Sequence, residues 1–67
     1  MNKYENLSTN YKIERMKEIF RILDSGNAVS VNGLYLEEIK YLKSLYGKEL
    51  KKDGGLIYRA MEMEVLF

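Results

Sequence analysis

Apolar side chains recur along this chain at two different periods. Over residues 10–24, Ile13, Met16, Ile19, Phe20 and Leu23 follow the i, i+3, i+4, i+7 spacing of a helix that buries one face. Glu14, Lys17, Glu18, Arg21 and Asp24 fill the other side. There Glu14–Lys17, Glu18–Arg21 and Arg21–Asp24 stand three residues apart with opposite charge, the spacing at which helix neighbours meet. Ser8, Thr9 and Asn10 can each cap the start, because their side-chain oxygens accept a free backbone N–H; Gly26 can supply the left-handed residue that ends the helix.

Residues 35–46 repeat the helical pattern, with Tyr35, Ile39, Leu42, Leu45 and Tyr46 in one arc and Lys40 and Lys43 across from it. Carrying the wheel past Gly47 puts Glu49 inside the apolar arc, where a carboxylate is costly to desolvate. A stop at Gly47 is therefore predicted, with residues 48–52 as a short turn or frayed end.

Between the helices the period changes to two. Ala28-Val29-Ser30-Val31 predicts a short β element near residues 28–31, and Asn32-Gly33 a tight turn, with a small hairpin if residues 34–36 return. The last stretch reads two ways. Ala60, Met61, Glu62, Met63 and Glu64 are good helix formers and Asp53 is a plausible cap, whereas Met61-Glu62-Met63-Glu64-Val65 alternates as a strand does. The fold read from the pattern is mostly α: a small single domain over residues 1–67, with two amphipathic helices (10–24 and 35–46), a β element near 28–31 and a C-terminal helix closing the core. The alternative is α+β, with 57–65 as a strand paired to 28–31, and residues 1–8 are expected to be flexible. Glu64-Val65-Leu66-Phe67 resembles the start of the cleavage sequence of picornaviral 3C proteases, with Met63 in place of its leucine and no glutamine following; on that reading 64–67 derive from a tag.

Composition narrows the function classes. With 67 residues and no Cys, His, Trp or Pro, the chain has no disulfide and no ordinary zinc ligand set, so its stability must come from packing. Eleven Lys and Arg against ten Asp and Glu leave a net charge of +1, which gives no whole-molecule field toward nucleic acid or an anionic membrane. No apolar run approaches the roughly 18 residues of a membrane span, and the N-terminus lacks the apolar stretch of a signal peptide, so a cytoplasmic protein without membrane contact is expected. Lys, Asn, Ile and Tyr, all with A/T-rich codons, make up 24 of 67 residues, a bias that points to a low-GC bacterium or its phages and plasmids.

Catalysis, cofactor binding and metal binding find no candidates. Ser8, Ser25, Ser30 and Ser44 have no histidine to activate them, and there is no cysteine nucleophile. The carboxylate pairs Glu37–Glu38 and Glu62–Glu64 read as solvated faces rather than cation sites, and Asp53-Gly54-Gly55 as a plain turn. The chain is expected not to be an enzyme.

Two binding surfaces remain. Tyr11, Arg15, Glu18 and Ile22 form an i, i+4, i+7, i+11 row off the apolar stripe of the first helix, and Tyr and Arg are types enriched at interface hot spots. With Tyr41 they are the expected partner-binding set, Ile22 alternatively packing under 28–31. The leading reading is a small binding protein of phage or mobile-element type, an adaptor or inhibitor that sterically covers a surface of a larger host or viral protein; self-association into a homo-oligomer is the other protein contact considered. The alternative is a dimeric DNA-binding regulator using Lys40, Lys43, Lys48, Lys51 and Lys52, although Glu37, Glu38, Glu49 and Asp53 are interleaved with them.

Overall fold

The structure, a computed structural model, describes residues 3–60. Two helices, α1 (Thr9–Asp24) and α2 (Leu36–Tyr46), pack with a three-stranded antiparallel sheet made of β1 (Ala28–Ser30), β2 (Leu50–Asp53) and β3 (Leu56–Arg59). Single 3-10 turns lie at Tyr4–Asn6, Val31–Gly33 and Gly47–Glu49. The chain is a small α+β domain.

Local chemistry accounts for most of the boundaries. Ser8 caps α1 by accepting the Tyr11 N–H on its Oγ at 3.1 Å, and Gly26 after the helix has φ +88°. Gly47 ends α2 with φ +59° and ψ −128°, a conformation from which a side chain is sterically excluded. The Glu38 carboxylate accepts the Tyr35 N–H at 2.9 Å, which satisfies one of the donors that open α2.

The sheet is where the pattern reading changes. Residues 50–52, from the stretch 48–52 expected to be a turn or frayed end, form β2 with Asp53, and residues 56–59, expected to be helical, form β3. β3 is the central strand: Val29 pairs with Ile57 on one side and Lys52 with Ile57 on the other. The α+β alternative, with the C-terminal segment paired to 28–31, is therefore the correct one over residues 56–59. Asp53 does not cap a helix; it pairs with Leu56 across a two-residue Gly54-Gly55 hairpin, and Gly54 carries the positive φ, +63°, that such a turn needs at its first central position. Nor does β1 fold back on residues 34–36; Asn32-Gly33 lies in a 3-10 turn, and the Val31 N–H reaches the Gly55 carbonyl at 2.7 Å. The readings of Glu62–Glu64 and of 64–67 fall outside the described residues.

Ile19, Leu23 and Leu42 form the buried centre, with Met16, Phe20, Val29, Leu34, Tyr46 and Leu50 packed around it; Ile57 is buried from the sheet. Two wheel assignments shift. Ile13 and Leu45, placed in the apolar arcs, lie about half exposed, while Glu38 is fully buried.

Candidate functional site

The environment of Glu38 explains how a carboxylate comes to lie in the core. Its two oxygens take a fork from Arg15, Nε to Oε2 at 2.7 Å and Nη2 to Oε1 at 2.8 Å. Arg15 Nη2 also donates to the Gly33 carbonyl at 2.8 Å, and the guanidinium lies 4.9 Å from the centre of the Tyr35 ring. Burial on its own would raise the Glu38 carboxyl; the Arg15 fork and the Tyr35 N–H outweigh it and hold the group below the ordinary carboxylate range. The bonds to Glu38 in turn push the Arg15 guanidinium further up. The Tyr4 ring lies tilted against Tyr35, 5.4 Å between centres, with the Lys12 ammonium 4.7 Å from the centre of the Tyr4 ring. This end of the molecule joins α1 to the start of α2.

The expected row on α1 is thus divided. Arg15 spends its fork within the chain, and Glu18 pairs with Arg21 one turn along. Ile22 is half-buried, and of the apolar members of the row Tyr11 is the well-exposed one, at 50%. Tyr41 stands apart from these residues on a different surface. It lines an open depression of about 340 Å³ between the helices, together with Ile13, Met16, Thr9, Lys12 and Glu37. Ile13 is 46% exposed there and Tyr41 51%; Leu45, one turn beyond Tyr41, is 52% exposed. Phe20 backs Tyr41 at 6.3 Å between ring centres. This apolar margin lay hidden in the sequence because Ile13 and Leu45 fall within the same helical arcs as the true core residues.

The other flank of α2 is basic. Lys43 meets Lys51 and Lys52 of β2 around a small slot of about 90 Å³ floored by Ile39, Leu50, Ile57 and Val31. Lys40 lies one turn before Lys43 on α2, and Lys48 in the turn between α2 and β2. Among the described residues the ion pairs are made by Arg15, Lys17, Arg21 and Arg59, and by none of these five lysines. Glu49, interleaved with them in sequence, is turned to Arg59. From the lysine set the structure therefore brings Lys43 and Lys52 to one slot, which Lys51 borders from β2 while sharing the opposite face of the sheet with Tyr58.

Among the described residues no helix is long and apolar enough to cross a membrane. Comparison with protein-family models, with curated proteins and with solved structures finds no match to this chain. The class that fold and surface define is a small α+β domain with an apolar and a basic margin on opposite flanks of one helix.

Proposed function

We propose that this chain is a small binding module, an adaptor or inhibitor that acts by covering a surface of a larger protein. The observation that supports the reading is the half-exposed Ile13 and Tyr41 in the α1–α2 depression, with the half-exposed Leu45 one turn beyond Tyr41 on α2. A half-exposed Ile and Tyr facing one depression, with a half-exposed Leu one turn along the same helix as the Tyr, are more than scattered surface residues, and a Tyr with an aliphatic neighbour is the composition of an interface centre. The mechanism is steric: Tyr41 and Ile13 insert into an apolar patch of the target, and the polar rim of Lys12 and Glu37 orients them. Tyr11, on another side of α1, is a peripheral contact at most.

The test compares the protein with its Ile13→Ala/Tyr41→Ala variant, each immobilised and exposed to lysate of the source cells with and without nuclease. The expected result is one stoichiometric protein retained through nuclease treatment, and lost by a variant whose circular dichroism and melting curve are unchanged. Removing a central Tyr anchor of this kind typically costs about 2 kcal/mol, close to thirtyfold in affinity. Equal capture by both forms would overturn the reading, as would a variant that no longer folds. Capture that vanishes with nuclease would transfer the function to the lysines, with affinity then falling steeply between about 50 and 200 mM salt.

A further inference from the structure

The sheet has two outer strands, and they differ. β1 is three residues long and uncharged, Ala28-Val29-Ser30; β2 carries two lysines and borders the slot beside α2. The Ala60 N–H donates to the Glu49 carbonyl at 2.7 Å, which sets the alternation of bonds between β2 and β3. Lys51 and Asp53 then bond toward β3, and Leu50 and Lys52 turn their backbone groups to the open edge. The Leu50 N–H is already used, on the Gly47 carbonyl that precedes the strand. Among the described residues no strand pairs with this edge, which leaves the Leu50 carbonyl and both backbone groups of Lys52 on it.

We propose that the open edge of β2, together with the slot between α2 and β2, accepts an extended acidic segment of a partner protein as a fourth strand. Main-chain bonds at Leu50 and Lys52 supply the register, as in other cases where a peptide extends a sheet. Every second side chain of the incoming strand points to the inner face of the sheet, toward the β2 side of the slot that Leu50 and Lys52 share with Ile39, Ile57 and Val31. Its volume, about 90 Å³, is several times the roughly 10–15 Å³ that one water requires, and suits one small apolar side chain. Charge selects the rest. Lys52 lies on the inner face of β2 with Leu50, Lys51 on the outer face, and Lys43 comes from the helix, so acidic residues find a cation on either side of the strand. Lysines on a sheet edge repel basic strands and discourage self-pairing; the same charges favour an acidic one. An apolar slot beside a strand edge is also of no use to a nucleic acid backbone, which favours a peptide over a duplex on this surface.

The proposal adds a second surface to the binding-module reading and does not depend on the α1–α2 face. The probe is a fluorescent synthetic peptide of alternating Glu and Val, titrated into the full chain at low salt with amide shifts followed by NMR. The expected result is saturable binding with the largest shifts at Leu50, Lys52 and Lys43, weakened about tenfold or more in Lys43→Glu/Lys52→Glu. N-methylation of alternate peptide amides, which leaves the charge intact, should weaken it as much. The Ile13→Ala/Tyr41→Ala variant should bind the peptide normally, which separates this proposal from the other surface. Equal binding of the N-methylated peptide, shifts confined to another face, tighter binding of duplex DNA than of peptide, or pairing of the edge with a second copy of the chain would each overturn it.

Discussion

Arg15 and Arg59 hold the two ends of this domain with the same kit of parts. Each donates through Nε to a glutamate at 2.7 Å and through a terminal nitrogen to a second oxygen at 2.8 Å, and each lies about 5 Å from a tyrosine ring. The surroundings differ. Glu38, the partner of Arg15, is fully buried, whereas Glu49 and Asp24, the partners of Arg59, are 44% and 52% exposed. Arg15 ties α1 to the first turn of α2. Arg59 ties β3 to the end of α1 and to the turn before β2, and there Tyr46 adds an O–H bond to Asp24 at 3.1 Å. Geometry alone would rank the two alike. Water ranks them otherwise, because a buried charge stripped of its partner has nothing to replace it, while an exposed one is solvated.

The largest effect should therefore come from the Arg15 end. Glu38→Ala leaves the Arg15 guanidinium without its fork, and breaking a buried pair costs about 3–5 kcal/mol; since Arg15 keeps some water access, about 3 kcal/mol is expected from urea unfolding. A loss under about 1 kcal/mol would show that the pair is no stronger than a surface one.

Acid should act through the same group. The folded carboxyl titrates below its ordinary value of 4.5, so its contribution is complete above that pH and is lost as the pH falls through the lower folded value. Unfolding midpoints followed from neutral to strongly acidic pH should drop over that window in the parent chain and drop less in Glu38→Gln. Identical acid profiles for the two would place the acid sensitivity elsewhere.

At the other end, Arg59→Ala should shift the urea midpoint by less than half the shift of Glu38→Ala, despite removing two ion pairs. A larger shift would mean that the sheet-to-helix tie is the dominant one. Tyr46→Phe, which deletes only the O–H bond to Asp24, should cost about 0.5–1 kcal/mol. Burial and that bond raise the Tyr46 phenol above its ordinary value of 10.0, so this increment is complete below that value and is lost as the pH rises from there through the higher folded value. Smallest of all, Glu18→Ala should leave the midpoint unchanged, since the Glu18–Arg21 pair lies along the exposed face of one helix; a clear loss there would undo the ranking by water access.

The helices were legible because their signals are local. The Ser8 cap, the stop at Gly47 and the stripe Met16, Ile19, Phe20, Leu23 all lie within a few residues of the backbone they govern. Of the expected pairs on α1, Glu14–Lys17 and Glu18–Arg21 form, but Asp24 turns from Arg21 to Arg59, 35 residues away. The hairpin was recoverable in part: Gly54-Gly55 between two four-residue runs is a hairpin signal, masked by a charged first strand whose lysines do not alternate with apolar residues.

By itself, then, the sequence determined the two helices, their ends, the β character of residues 28–30 and the lack of cysteine and histidine chemistry. Only the tertiary structure decided that β3 is central and that Glu38 is buried on Arg15 from 23 residues away. It also decided which of two residues in one apolar arc faces the core and which faces solvent. The reason is the same in each case. Caps, turns and periodicity act over one or two turns of backbone, whereas strand order, buried ion pairs and exposed margins depend on what other segments bring to the same place, and a helical wheel records a direction without its neighbour.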